Sequence, residues 1–178
     1  MYAATDMKEE TSVKTIYLAG GCFWGTQHFF DQFSAVISTR TGYANGRTAA
    51  PSYEDVRYRD TGHAETVRVE YDEERMPTEK LLAYYFMTID PLSINRQGGD
   101  VGSQYRTGIY YEDESLLPAI RAAVAEEEAK VGAKLEVEVL PLRNFYPAEE
   151  YHQDYLVKNP GGYCHIPLHL MHLEEQGR

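Results

Sequence analysis

Residues 15–25 read Thr-Ile-Tyr-Leu-Ala-Gly-Gly-Cys-Phe-Trp-Gly, and the rest of the chain is best understood outward from this stretch. An apolar, strand-like run ends at two glycines, and residues 22–33 then have the composition of a helix. Cys22 falls in the first turn of that helix, where unpaired N–H groups and the helix dipole favour a thiolate. Because the thiolate is the nucleophilic form, the position predicts a reactive cysteine. The alternative is a buried cysteine that only packs, with Trp24 an ordinary core residue.

The size and charge of the chain narrow its class. A length of 178 residues, with 43% hydrophobic and 25% charged residues, is typical of one soluble globular domain. We expect residues 1–13 to form a flexible tail and residues 14–178 to form the domain. A formal net charge of −11 argues against binding to nucleic acids or to anionic membranes, and we expect a monomer.

Two further features bear on location. No apolar run approaches the roughly 18 residues of a membrane span, and the N-terminus lacks the pattern of a signal peptide. Two cysteines are too few for a disulfide scaffold, so a reducing, cytoplasmic setting is expected.

Strand-like and helix-like segments alternate along the chain. Ser115 is a candidate cap for the helix that follows it, and residues 90–102 are expected to form a loop. Strands interleaved with helices around one sheet predict an α+β fold, a two-layer sandwich. The expected strands are 14–19, 36–43, 64–71, 107–111 and 135–140, and the expected helices include 22–33, one beginning near Thr78, one near Ser115, and 149–157.

Glu65 is the second residue of interest. In the alternating strand 64–71 it shares a face with Val67, Val69 and Tyr71, which places a carboxyl on the apolar side of the sheet. Burial raises the pKa of a carboxyl, and this suits a group that donates a proton near neutral pH. The alternative is a strand-end residue that bends into solvent.

Four motifs occur in one order: Gly-Gly-Cys-Phe-Trp-Gly at 20–25, Gly-His-Ala-Glu at 62–65, Gly-Asp-Val-Gly-Ser-Gln-Tyr-Arg at 99–106, and Asn-Pro-Gly-Gly-Tyr-Cys at 159–164. In this combination the chain resembles the A family of peptide methionine sulfoxide reductases, which act on the S epimer. The resemblance extends from about Lys14 to about Ile166. It implies a mixed sheet with a ferredoxin-like plait core and a reaction without a metal or other cofactor.

The resemblance also implies roles for two reacting residues. Cys22 would attack the sulfoxide sulfur while Glu65 donates a proton to the oxygen, leaving methionine and a sulfenic acid on Cys22. Oxidised proteins, peptides and free methionine sulfoxide would be substrates.

The same resemblance implies a set of substrate contacts. Tyr53 and Tyr105 would hydrogen-bond the sulfoxide oxygen, and Asp100 would help to position the substrate. Phe23 and Trp24 would form the apolar wall that receives the S-methyl group.

Cys164 is the only other cysteine. It follows a Gly-bearing segment that we expect to act as a mobile C-terminal arm of the catalytic domain. By resemblance it is the resolving cysteine, which would form a disulfide with Cys22 that thioredoxin reduces. Many relatives have a third cysteine after this position, but this chain has none, so a second disulfide relay is excluded. A similar tail occurs in A domains that are fused to a B-type reductase.

Two other interpretations stay open at this stage. Cys164, His165, His169 and His172 could form a zinc site, although Pro167 interrupts their spacing. The second interpretation is a module that binds oxidised methionine without turnover. This interpretation does not explain why two thiols lie in these positions.

Overall fold

The computed structural model describes residues 12–176. The predicted N-terminal tail, residues 1–13, lies outside the described residues except for its last two positions. Val13 already pairs with Asp72, so the first strand begins one residue earlier than predicted.

Eight strands lie within residues 12–176, most of them close to the predicted positions. They are β1 (Val13–Ala19), β2 (Val36–Ala44), β3 (Ala64–Asp72), β4 (Arg96–Gln97), β5 (Asp100–Val101), β6 (Gly108–Tyr111), β7 (Glu138–Pro141) and β8 (Phe145–Pro147). The same residues contain the helices α1 (Phe23–Asp31), α2 (Tyr53–Tyr58), α3 (Thr78–Met87), α4 (Leu117–Val131), α5 (Tyr155–Lys158) and α6 (Leu173–Gln176). Four short 3₁₀ segments lie among them, at Ser103–Tyr105, Glu114–Leu116, Glu150–His152 and Leu168–His172.

Six strands form one mixed sheet in the order β7-β6-β1-β3-β2-β8. β1 pairs antiparallel with β3 and β6, β2 pairs antiparallel with β3 and β8, and β6 pairs parallel with β7. The four central strands and the helices α1 and α3 follow the chain order βαββαβ. The predicted α+β class with a mixed sheet is confirmed.

The main core lies on one face of this sheet. Leu18 and Val67 project from it against Phe30 of α1 and Leu82 of α3, and all four side chains are fully buried. Burying an apolar side chain of this size stabilises the fold by roughly 1.5–3 kcal/mol. The opposite, outer face carries only a small cluster of Tyr17, Ala19, Ala44, Ala64 and Tyr110. One helical layer therefore covers one sheet, which confirms the two-layer arrangement.

The differences from the sequence prediction lie in short elements. α2 was not predicted, although Ser52 and Asp55 close its first turn with a reciprocal capping box. Residues 90–102, predicted as a loop, contain the β4–β5 hairpin. Ser115 is not the cap, because the Asp113 carboxylate accepts the Ser115 N–H.

The predicted helix over 149–157 is also divided. Asp154 adopts a left-handed backbone with φ 53°, which separates the 3₁₀ turn before it from α5.

Among residues 12–176, every helix is too short or too polar to cross a lipid bilayer.

Candidate active site

Cys22 lies where β1 passes into α1. Gly21 makes the turn with φ +75°, and its N–H donates to the Tyr105 carbonyl at 3.2 Å. A left-handed residue at this position favours glycine because it has no Cβ. Cys22 is the N-cap residue of α1 and is only 7% exposed. The turn thus presents the thiol at the start of the helix, as the sequence predicted.

Glu65 lies beside this helix start. It opposes Tyr43 in the β2–β3 register and is 2% exposed, on the same buried face as Val67 and Val69. Its Oε1 accepts the Phe23 N–H at 3.2 Å. The predicted position on the apolar side of the sheet is confirmed, and the carboxyl is tied to the residue next to Cys22.

Burial dominates the ionisation of Glu65. It raises the pKa of this carboxyl from 4.5 to about 8, although the Phe23 N–H favours the charged form. The charge of Asp100 adds to the increase. Glu65 therefore keeps its proton at neutral pH and can donate it.

The thiol behaves differently from the sequence prediction. Burial, and then the charge of Glu65, raise the pKa of Cys22 well above its ordinary value. The Trp24 N–H at the helix start does lower this pKa, but burial has the larger effect, so the net direction is opposite to the one expected from the helix start alone. Below pH 8, where Glu65 is neutral, desolvation is the main cause that remains.

Two tyrosines carry hydroxyls into the same region. Tyr53 begins α2 and Tyr105 ends a 3₁₀ turn, and both are half-buried. Burial raises the pKa of Tyr53 to about 12, with the charge of Glu65 as the next cause. Burial and then Glu65 also raise the pKa of Tyr105, with smaller effects from Asp100 and Cys22. Both hydroxyls therefore stay protonated, and the mutual effects show that these predicted site residues lie close together.

Trp24 and Phe23 form an aromatic wall next to the thiol. The indole stacks on Tyr155 at a centroid distance of 3.7 Å and an angle of 8°, and its Nε1 donates to His152 Nδ1 at 2.9 Å. Phe23 is 1% exposed and lies 5.2 Å from the His152 ring. Burial lowers the pKa of His152, so the imidazole stays neutral and its Nδ1 remains an acceptor.

Sequence reasoning missed the residues that position the site side chains by contacting them. Glu149 accepts the Tyr43 hydroxyl at 2.8 Å on Oε1 and the Tyr53 N–H at 2.9 Å on Oε2, which fixes the start of α2. His152 and Tyr155 fix Trp24, the first by a hydrogen bond and the second by stacking. The only local signal was the three-residue spacing of Glu149, His152 and Tyr155 within the predicted helix 149–157. That spacing does not indicate that His152 contacts Trp24, 128 positions away.

Asp100 lies on the short strand β5 at the edge of the site. Its Oδ2 accepts the Tyr163 hydroxyl at 3.1 Å. Tyr163 immediately precedes Cys164, so this hydrogen bond connects the C-terminal arm to the β4–β5 hairpin.

Cys164 packs on the first turns of α1. A Cβ added at Gly25 would lie 2.9 Å from Cys164 Sγ and 3.3 Å from Ile166 Cδ1. Both cysteines are free thiols, and Cys164 is half-buried and among the groups that raise the pKa of Cys22. The structure thus brings the second thiol to the helix that carries the first.

The zinc interpretation of the C-terminal segment finds no support in the described chain. Within residues 12–176, no three His, Cys, Asp or Glu side chains are grouped so as to hold a metal ion. The His165 ring instead lies against Gly21, where a Cβ would be 2.8 Å from its Nε2.

The arrangement combines a protonated carboxyl, two hydroxyl donors, a thiol and an apolar aromatic wall. Such a site suits a substrate in which one central atom carries both a polar oxygen and a small apolar group. Protonation of the oxygen makes that central atom reactive towards the thiol.

Comparisons with known proteins place the chain among the methionine sulfoxide reductases. The profile of the family described as "Peptide methionine sulfoxide reductase" matches residues 14–176. A peptide methionine sulfoxide reductase MsrA of Lachnoclostridium phytofermentans is 55% identical over 153 residues, covering 86% of this chain and 92% of the relative.

Solved structures give the same result. Mxr1 from Saccharomyces cerevisiae in reduced form superposes with a TM-score of 0.81 at 38% identity, covering 86% of this chain and 90% of that one. Mxr1 in complex with Trx2 superposes with a TM-score of 0.57 at 26% identity, covering 82% and 86%. On the strength of a profile match over nearly its whole length and relatives more than half identical, the chain belongs to the peptide methionine sulfoxide reductase family, MsrA.

Proposed function

We propose that this protein reduces the S epimer of methionine sulfoxide to methionine, in oxidised proteins and peptides and in the free amino acid, through a sulfenic acid on Cys22. The observation that carries the proposal is the buried Glu65. Its carboxyl is protonated at neutral pH and is hydrogen-bonded to the residue beside the only thiol at a helix start. A sulfoxide oxygen leaves sulfur only when it is protonated, and Glu65 supplies that proton.

The proposed first step balances as follows. Cys22 Sγ attacks the sulfoxide sulfur while Glu65 protonates the oxygen. The hydroxyl then passes to Cys22 Sγ, so that the sulfur–oxygen bond of the substrate and the sulfur–sulfur bond formed by the attack both break. Methionine is released and a sulfenic acid remains on Cys22. Two electrons pass from the thiol to the substrate sulfur, and the thiol proton restores Glu65.

The other site residues orient the substrate. Tyr53 and Tyr105 donate hydrogen bonds to the oxygen and leave the sulfur with a partial positive charge. That charge favours the Cys22 thiolate and so opposes the effect of burial, which raises the pKa of the thiol. Phe23 and Trp24 receive the S-methyl group, and Asp100 positions the chain of the substrate.

The second half of the cycle depends on Cys164. Its thiol attacks the sulfenic acid of Cys22, a disulfide forms, and water leaves with the oxygen. A dithiol reductant of the thioredoxin class then returns both cysteines to thiols by exchange. The packing of Cys164 on Gly25 and the match to a relative in complex with Trx2 support this assignment.

The first test uses Cys164→Ser. We expect one equivalent of methionine per enzyme, because the chemical step does not need Cys164, and no recycling by thioredoxin. Dimedone should label Cys22 after the single turnover, as detected by mass spectrometry. Undiminished multiple turnover with thioredoxin would exclude Cys164 as the resolving residue, and absence of methionine release would favour a module that only binds the sulfoxide.

The second test concerns the contact between the arm and α1. In Gly25→Ala the new Cβ would press on Cys164 Sγ and Ile166, so we expect disulfide formation to slow about tenfold, within the range that overpacking by about 1–3 kcal/mol allows. Methionine release in the first turnover should be nearly unchanged. Rapid quenching with a thiol-alkylating reagent separates the two steps.

Gly161→Ala is the matched control, since no atom lies within 4 Å of a Cβ at this position. Equal rates of disulfide formation in the two variants would show that the Gly25 contact does not position Cys164.

A further inference from the structure

A pocket on the outer face of the sheet lies apart from the reductase site. Its cavity of about 480 Å³ is lined by residues of β1, β2 and β3, by Glu112, and by residues of the segment 142–147, which ends in the edge strand β8. Val67 and Glu65 project to the opposite face, so this pocket does not share the Cys22 chemistry. Its volume is within the usual range for sites that bind small molecules.

Two arginines face each other in this pocket. Arg40 of β2 directly opposes Arg68 of β3 in the antiparallel register, and Arg68 opposes Tyr17 of β1. Like charges at directly opposed positions destabilise a sheet. This pairing therefore has an electrostatic cost, which water screens in part because Arg40 is exposed.

Neighbouring charges offset that cost only weakly. Arg68 approaches Glu70 at 3.5 Å, but both side chains are about one-third exposed, and such pairs contribute little. Within residues 12–176, Arg40 forms no ion pair. A third arginine, Arg143, also lines the pocket, and its guanidinium donates to the Asn45 carbonyl at 3.2 Å.

The pocket contains a single carboxylate. Glu112 accepts the Tyr17 hydroxyl at 2.8 Å, and it is the one acidic side chain among the lining residues. Three guanidinium groups against Glu112 and the neighbouring Glu70 leave a net positive charge at this pocket, in a chain whose net charge is −11.

Two aromatic rings line the outer-face pocket. The rings of Tyr17 and Phe145 lie 5.1 Å apart at 57°. Phe145 rests on Gly42, where any Cβ would overlap its ring. Gly42 thus permits an aromatic surface directly beside the arginine pair.

We propose that this outer-face pocket binds a small organic anion that carries a phosphate or carboxylate group on a ring. The planar guanidinium groups of Arg40, Arg68 and Arg143 donate paired hydrogen bonds to such an oxyanion. The Tyr17 and Phe145 rings contact the body of the ligand. Binding also relieves the repulsion between Arg40 and Arg68.

The test titrates the full-length protein at low ionic strength with phenyl phosphate, benzoate and inorganic phosphate, by calorimetry and by amide chemical shifts. We expect saturable binding of phenyl phosphate or benzoate, tighter than that of inorganic phosphate, with shifts at residues 40, 68 and 143–145. The two ring-bearing probes distinguish a phosphate ligand from a carboxylate ligand.

Arg40→Gln and Arg143→Gln should each weaken binding at least tenfold, whereas Arg121→Gln on α4 is a matched control that should not. Without ligand, Arg40→Gln should melt at a higher temperature than the wild type, because the opposed charges are gone. Sulfoxide reduction should be unchanged in all three variants, so this test is independent of the proposed function.

Three results would overturn the proposal. They are a failure of both ring-bearing probes to saturate, equal affinities in the Arg40→Gln and Arg121→Gln proteins, and binding of inorganic phosphate as tight as that of phenyl phosphate.

Discussion

Cys22→Ser is expected to abolish methionine formation with every reductant, including small thiols. Serine keeps the shape of the N-cap residue, but its hydroxyl has no adjacent base and is a much weaker nucleophile than a thiol. It also cannot accept the sulfoxide oxygen as a sulfenic acid. Methionine is measured by chromatography after incubation of racemic sulfoxide with dithiothreitol, which also shows which epimer the wild type consumes.

Cys164→Ser is the natural control, because it removes the other thiol and should still release one equivalent of methionine. Circular dichroism should show that both variants are folded. Substantial turnover by Cys22→Ser would move the chemistry to another residue and remove the basis of the proposed mechanism.

The parts of the site that were predictable follow from local patterns. The diglycine between a strand and a helix located Cys22, and the alternation of residues 64–71 placed Glu65 on the buried face, where it is 2% exposed. Long, regularly patterned segments such as β3 and α3 were predicted within a residue or two. A periodic apolar face is a strong signal because many residues contribute to it.

Other parts depend on contacts that no local pattern records. His152 is hydrogen-bonded to Trp24 across 128 positions, and Glu149 is bonded to Tyr53 across 96. The two-residue strands β4 and β5 are too short to show alternation. The positions of Tyr53 and Asp100 were expected from the family resemblance alone.

The thiol shows where a correct local argument gave the wrong direction. The helix-start position of Cys22 was predicted correctly, yet its pKa is raised because the thiol is buried in the folded protein. The depth of burial depends on tertiary packing, which the local pattern around residue 22 does not specify.

Glu65→Gln is expected to slow the release of methionine in the first turnover by roughly 10²–10⁴-fold, the usual contribution of a positioned general acid. Glutamine keeps the shape of the side chain and the acceptor for the Phe23 N–H, but it has no proton to transfer. Substrate affinity should change far less, since the amide can still donate to the sulfoxide oxygen. Glu70→Gln is the matched control, because Glu70 lies on the same strand but faces the opposite side of the sheet and is partly exposed.

The pH dependence distinguishes a lost acid from a disturbed pocket. Because the pKa of Glu65 is about 8 in the folded protein, the wild type should lose its first-turnover rate as the pH rises through 8, and Glu65→Gln should lack this decrease. The deficit of the variant should shrink at low pH, where solvent protonates the sulfoxide instead.

Stability gives a second readout of the same carboxyl. Between pH 4.5 and 8 the folded carboxyl holds a proton that the unfolded chain releases, so wild-type stability falls as pH rises through this range. That slope should be smaller in Glu65→Gln and retained in Glu70→Gln. Rapid-mixing measurements and denaturant titrations across pH provide both readouts, and a near-normal first turnover at neutral pH in Glu65→Gln would require another residue to act as the acid.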